Sequence, residues 1–505
     1  MLEIIGDLSF TTFLVTLAGI VVGMFFGALP GFGGSASMAI VLPIAIAMSP
    51  LNAMVFLIGI YAGGHYGGGI PSVLIGVPGD AGAAATVFDG FQMTRNGRAS
   101  EALAMLAMGS ALAGIFSVIA FLIFAPMLAR AALSFGPPEL FMLVIFGLSI
   151  LGSIDPSKML KTLFAGSLGL ALATVGVDPY WAEPRMVFNI PQLYDGLPFI
   201  PALLGLFCIA QMLVLIDERH LVHTNRDVAS PSFGKTLKGM VEVFRYWKAL
   251  LIGALSGTFI GALPGAGATI AAFVAYNLTK NVSKTPETFG KGNPEGLVAP
   301  ESANNAIVGG SLIPTFALGI PGSGAAAVLM GVMMYMGLRP GPRLFVEQFP
   351  LIQTLVVYLL LGCVLMIVIG AVAAGTFYKL TRIPLRILVP CVIVAASVGA
   401  YAYRGEIFDL GVMMGFGLLG YLLQKRQYPL SAVVLGLVLG PMAEQYFVQS
   451  LAMTSWDFTV FFTRPITMGL WVLIIGSIVS SIVLYRKTKK SDAAIKAAST
   501  AEQGS

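Results

Sequence analysis

Along the chain, apolar residues run in long uninterrupted blocks, and polar residues gather in short gaps between them. Thr11–Leu29, Leu103–Phe124, Leu351–Ala373 and Ile466–Leu484 are four such blocks. Their length matches the roughly 17–25 residues that a helix needs to cross a bilayer core. Neither strict alternation nor a one-sided helical stripe dominates them, so they predict helices apolar all round. The pattern predicts an all-α polytopic integral membrane protein of about 12–14 spans. The first block starts after Glu3 and Asp7, with no Lys or Arg before it, and reads as a retained helix rather than a cleaved signal.

Composition agrees: 57% of the 505 residues are hydrophobic, 10% are charged, and mean hydropathy is +0.88. Soluble domains carry about 25% charged residues. The net charge of +5 does not call for nucleic acid, because the Lys and Arg lie in short loops, where orientation signals lie. The basic stretches are Arg95/Arg98, Lys158/Lys161, Arg226–Lys248, Lys379/Arg382/Arg386, Lys425/Arg426 and the tail from Arg486. They predict a cytoplasmic side, and Asp178–Gly196 and Glu444–Asp457, poor in Lys and Arg, predict the opposite one. Cys208, Cys363 and Cys391 lie inside apolar runs without metal or redox spacing and read as small buried hydrophobes.

Two motifs recur in the same order. GMFFGALPGFG at Gly23–Gly33 returns as GTFIGALPGAG at Gly257–Gly267, and IPSVLIGVPG at Ile70–Gly79 returns as IPTFALGIPG at Ile313–Gly322. The offsets are 234 and 243 positions, which defines an internal repeat. Loop charges start the first copy outside and the second inside, so the two are expected to run through the membrane in opposite directions. The organisation read from this is a first membrane repeat (1–216), a basic loop (217–248), a second repeat (249–447), an extra span (448–485) and a tail (486–505).

In both copies Pro and Gly cut into apolar sequence, at Pro30–Ser35 and again at Gly63–Pro71 in the first. Non-helical backbone at bilayer depth is tolerated only where it is buried in protein or lines a cavity. Half-helix N-termini there suit anions and freed carbonyls suit cations. The expected substrate-binding set is therefore Gly31, Gly33, Gly34, Ser35, Gly68, Gly69, Ser72, Gly265, Gly267, Ser311, Thr315 and Ser323. Asn304, Asn305 and Asp80 are the expected cation-binding residues, Glu301 is placed at the membrane interface, and His65 is the one histidine in an apolar setting. Isolated glycines such as Gly147 and Gly169 read as helix-packing residues. No G-x-x-x-x-G-K-[ST] loop supports a nucleotide-driven pump and no H-E-x-x-H a zinc protease. A channel is the nearest rival to a secondary transporter, which the paired breaks favour.

These blocks resemble the large permease subunit of the tripartite tricarboxylate transporter family. The matching stretches are GALPGFGG (Gly27–Gly34), YAGGHYGGGIPSVLIGVPGD (Tyr61–Asp80), GVDPYWAEPRMVF (Gly176–Phe188), GALPGAGA (Gly261–Ala268), PESANNA (Pro300–Ala306) and IPTFALGIPGSGAAA (Ile313–Ala327). Arg185-Met186-Val187-Phe188 stands where relatives often have R-F-T-F. The resemblance implies a bacterial inner-membrane permease importing small carboxylates, tricarboxylate or dicarboxylate, by symport with Na⁺ or H⁺. It also implies two partners, a periplasmic solute-binding protein and a small membrane subunit, and no cofactor.

Overall fold

A computed structural model describes residues 9–29, 32–154, 158–178, 180–217, 233–265, 267–377 and 385–479. Gly31, the loop from His220 to Ser232 and the tail from Arg486 lie outside these. The fold is all-α. Its helices are α1 (Phe10–Gly27), α2 (Gly34–Ile40), α3 (Pro50–Ile75), α4 (Thr86–Arg95), α5 (Ala99–Ala132), α6 (Pro137–Ile154), α7 (Met159–Ala173) and α8 (Phe199–Asp217). After the basic loop come α9 (Phe233–Glu242), α10 (Trp247–Gly261), α11 (Gly267–Val282), α12 (Pro294–Leu318) and α13 (Gly324–Tyr335). The last group is α14 (Phe349–Phe377), α15 (Leu385–Arg404), α16 (Ile407–Lys425), α17 (Leu430–Met453) and α18 (Pro465–Val479). Among the described residues, eight helices (α1, α3, α5, α8, α14, α15, α16 and α17) are long and apolar enough to cross a membrane. Cys208 and Cys363 are buried as expected, whereas Cys391 on α15 is exposed.

The repeated motifs build the same local structure twice. In the first copy α1 packs along α3, and in the second α10 packs along α12. Each contact is a glycine seam. Gly19, Gly23 and Gly27 of α1 face the backbone of Phe56, Ile60 and Gly64 of α3, Gly59, Gly63 and Gly67 of α3 face Gly19, Ile20 and Met24 of α1, and Gly253, Gly257 and Gly261 of α10 face Ala299, Ala303 and Gly310 of α12. A glycine every fourth residue brings the two backbones together, which in a bilayer supplies the dispersion contact that water would otherwise drive.

The later break in each copy falls further along than the sequence pattern places it. Gly63–Pro71 does not interrupt a helix: α3 runs through it to Ile75 with Pro71 inside, and α12 likewise runs through Pro300 and Pro314 to Leu318. The chain leaves α3 at Gly76 (φ 73°) and α12 at Gly319 (φ 71°), both left-handed, the conformation that glycine adopts without steric cost. Each proline leaves the carbonyl four residues back, Gly67 or Gly310, without its helical donor, and the hydroxyl that follows the proline bonds the next carbonyl along. Ser72 Oγ donates to the Gly68 carbonyl at 3.1 Å, and the corresponding Thr315 Oγ1 donates to that of Ser311 at 2.5 Å.

Two polar stretches between spans are also ordered. α9 lies on the start of α5, where Arg98 pairs with Glu101 (2.5 Å) and Glu242 (3.4 Å). The segment leading into Asp178–Gly196 forms a small antiparallel hairpin, β1 (Gly176–Val177) with β2 (Pro184–Arg185), joined to α17 by Arg185–Glu444 at 2.6 Å. Partial burial acts to raise the Asp178 carboxyl, but the N–H groups of Tyr180 and Trp181 and the Arg185 guanidinium outweigh it and hold the group below its usual range.

Candidate functional site

The two copies meet at their breaks. Gly33 and Gly34 open α2 of the first copy beside Ser323 and Gly324, which open α13 of the second. A Cβ on Gly324 would stand 2.9 Å from Ser35 Oγ, so the two helix starts touch. Reciprocally, the second copy's break, Gly265 and Gly267 (both φ 74°), opens α11 against the 3-10 turn Ala81–Ala83 that follows the first copy's exit from α3. Gly265 N–H donates to the Gly322 carbonyl at 2.9 Å, while the Cβ side of Gly267 faces open space.

At the centre stand three side chains of the first copy. His65 Nδ1 is 2.6 Å from Asp80 Oδ2, and both side chains are at most 10% exposed. Asp80 also caps the 3-10 turn by accepting from Gly82 N–H at 3.4 Å. Tyr61, one helical turn before His65, stacks at a tilt on its ring (centroids 4.9 Å apart). The Tyr61 hydroxyl then crosses to the second copy, 2.8 Å from Ser323 Oγ and 3.4 Å from Ser311 Oγ. His65 Nε2 is buried without a hydrogen-bond partner and faces Gly34, whose Cβ would lie 3.8 Å from it. An unpartnered buried nitrogen at a broken helix start is a group positioned to bind something.

The expected residues sort into three groups. Gly33, Gly34, Ser35, Ser311, Ser323 and Asp80 converge on Tyr61 and His65, and Gly265 and Gly267 lie across the 3-10 turn from them. Ser72 and Thr315 are spent on backbone: Ser72 reaches the Gly68 and Ala83 carbonyls, and Thr315 binds the Ser311 carbonyl and accepts from Gly322 N–H. Gly68 and Gly69 are helical residues of α3 rather than freed backbone, and they make room for carboxylates. A Cβ on Gly68 would meet Asp80 at 2.8 Å, and one on Gly69 would meet Glu301 at 2.9 Å.

The adjacent asparagines diverge, because neighbours on a helix point about 100° apart. Asn304 Nδ2 donates to the His65 carbonyl at 3.3 Å, and its Oδ1, unpartnered, faces Gly82 in the central cluster. Asn305, also unpartnered, instead lines a largely apolar cavity of about 30 Å³ with Thr16, Ser117 and Tyr358. That volume suits a water molecule. An Asn304 oxygen beside a carboxylate is a suitable start for a cation shell, and Asn305 is not part of the same shell.

Glu301 is enclosed by protein, whatever its depth in the membrane. It is fully buried, accepting from Ser110 Oγ at 2.8 Å and Thr86 Oγ1 at 3.2 Å. Asp89 on α4, unremarked in sequence, is fully buried too. It accepts from the N–H groups of Gly290, Gly292 and Asn293 at 2.8–3.0 Å and from Tyr276 Oη at 3.0 Å. Tyr61, Glu301 and Asp89 have partners 187–262 positions away, and no local spacing signals such pairings.

A helical multi-pass protein whose duplicated broken helices meet around buried polar groups is built as membrane transporters are. The model of the tripartite tricarboxylate transporter TctA family matches residues 13–435, and the chain belongs to that family. It is therefore a large subunit of this transporter class. It is 34% identical over 498 residues to an uncharacterized 52.8 kDa protein in the TAR-I ttuC' 3' region of Agrobacterium vitis, covering 97% of this chain and 98% of that one. It is also 33% identical over 234 residues to an uncharacterized protein in the TAR-II ttuC' 3' region of the same organism, covering 46% of this chain and 97% of that one.

Proposed function

We propose that this subunit carries small organic anions with several carboxylates through the membrane by cation symport, receiving them from a periplasmic solute-binding protein. The observation that carries the reading is the Tyr61–His65 cluster, where both copies contribute to one buried polar centre. The Tyr61 and Ser35 hydroxyls, the starts of α2 and α13 and, when the ring is protonated on both nitrogens, His65 Nε2 offer hydrogen-bond donors to a carboxylate. Asp80 and the Asn304 oxygen beside them offer acceptors to the coupling cation, Na⁺ or H⁺.

In this reading a small membrane subunit completes the system in the inner membrane. Proteoliposomes holding the chain alone should then show negligible gradient-driven uptake of citrate, used as the probe tricarboxylate. Adding the cognate small subunit and binding protein should restore it for the carboxylate that the binding protein holds. Robust uptake of that carboxylate by the chain alone would overturn the dependence on partners.

The same proposal makes the copies antiparallel across the membrane, which the distribution of Lys and Arg among the loops supports, while the matching glycine seams and exits support the duplication itself. In a cysteine-free background, a cysteine at Lys238 should be reached by impermeant reagent only from the cytoplasmic side, and one at Asp195 only from outside. The reverse pattern for either position would remove the antiparallel arrangement.

A further inference from the structure

Glu301 sits outside the cluster just described, and its surroundings are unusual for a carboxylate. Its side chain is fully buried about two turns into α12, and among the described residues no Lys, Arg or His lies within ion-pair distance. Its only hydrogen-bond partners are two neutral hydroxyls, Ser110 of α5 and Thr86 of α4. Glycine backs it on α3, where any side chain at position 69 would collide with the carboxyl.

The titratable groups that face it do not offer compensation. Asp80, on the other side of the Gly68–Gly69 wall, is itself acidic, and its imidazole partner His65 is turned to it. Tyr66 of α3 is fully buried with an unpartnered hydroxyl. Asp89 of α4 and Tyr276 of α11 are bonded to each other, and Arg95 is in the last turn of α4. Arg98 and Glu101, in the first turn of α5, pair with each other and with Glu242 or Lys238 of α9. α10 carries Lys248 only in its first turn and α13 carries Tyr335 only in its last, while Arg245 and Tyr246 precede α10 and Glu347 lies in the turn Leu344–Glu347.

A carboxylate taken out of water with no opposite charge is very costly, and such a group takes up a proton instead. Each hydroxyl partner can donate or accept, so Ser110 and Thr86 can satisfy the neutral acid as well as the anion. We propose that Glu301 is a proton-carrying residue of the transport cycle. It is a neutral acid in the conformation described here, and it releases its proton in a conformation where water reaches it. The proton leaves to water and no other bond changes. This rests on the transport reading for its physiological meaning, though its protonation can be read without any transport.

The test is infrared difference spectroscopy on the purified full chain in lipid, with protons as the only ligand varied, in H₂O and D₂O. A deuterium-sensitive protonated-carboxyl band should be present at neutral pH, fade on alkaline titration, and be missing in Glu301→Gln. Ser110→Ala keeps the carboxyl and should shift the frequency of the band, which supplies a reading if Glu301→Gln does not fold. Wild-type and Glu301→Gln spectra that superimpose would overturn the proposal. So would a Glu301 band that persists unchanged to alkaline pH in folded protein, which makes the residue a fixed hydrogen-bond donor. Should the complete system carry no organic anion, the transport reading fails, and the spectra still decide the protonation of Glu301.

Discussion

Asp80→Asn and His65→Gln, made singly, should each lower the amount of folded protein in the membrane, whereas the double variant should recover it. The contact between these side chains is 2.6 Å long and buried on both sides. Removing one partner of such a buried pair typically costs about 3–5 kcal/mol, because the other is left uncompensated, while replacing both by neutral groups avoids that penalty. Uptake should follow a different course. If His65 Nε2 binds a substrate carboxylate, the double variant folds but lacks that donor. Its half-saturating substrate concentration should rise about ten- to hundredfold, the equivalent of the ~1.5–3 kcal/mol of a hydrogen bond to a charged group. Quantitative blotting of membranes alongside uptake kinetics separates the two effects. A double variant with wild-type kinetics would take His65 out of the site.

The second large effect belongs to the glycine seams. Gly23→Val and Gly257→Val should abolish folded protein. A Cβ at position 23 would stand 2.9 Å from the Gly64 nitrogen, and one at 257 would stand 2.8 Å from the Ala303 Cα. Both obstacles are backbone, which cannot turn aside as a side-chain tip can, so the helices must separate over their whole contact. A loss beyond about 4 kcal/mol is expected, the range reserved for such overpacking and strain. Gly169→Val should behave similarly, since its Cβ would lie 2.9 Å from the Val433 carbonyl carbon. Gly147→Ala should be mild, because the atoms nearest its Cβ are side-chain carbons of Ile320 and Leu439, the closest at 3.1 Å. Gly267→Val offers the contrast: its Cβ enters open space and the cost is the left-handed backbone alone, about 1–2 kcal/mol. Abundance should largely survive there while uptake is lost. Thermal unfolding followed by fluorescence-detected size-exclusion chromatography orders the series, and normal melting of Gly23→Val would refute the seam.

What could be read from the chain in advance follows from what a bilayer demands locally. Spans declare themselves because each must satisfy its own backbone within one continuous stretch, so hydropathy finds α1 closely and marks the interior of α5 and α14, which extend beyond the apolar blocks at both ends. The repeat is legible because two motifs return in order. The position of the later break in each copy is not, since Pro71 and Pro314 look like terminators and are tolerated inside helices that run on to Ile75 and Leu318. Half of the polar centre was likewise hidden. Ser35, Ser323, Asp80 and Asn304 stand next to Pro-Gly punctuation, which pointed to them. Tyr61 sits in plain apolar sequence, and nothing but the fold brings it to Ser323. Asn304 and Asn305 show the opposite limit, where adjacency in sequence sends two like side chains to opposite surroundings.

The grip of Asp89 on the start of α12 bears on mechanics. Four N–H and O–H donors of the second copy hold one buried carboxylate of the first, and α5 of the first copy lies along α12 of the second. These bonds tie α4 of the first copy to α11 and to the start of α12 of the second. A displacement that slid one repeat past the other along their common boundary would have to break them and leave a buried carboxylate without partners.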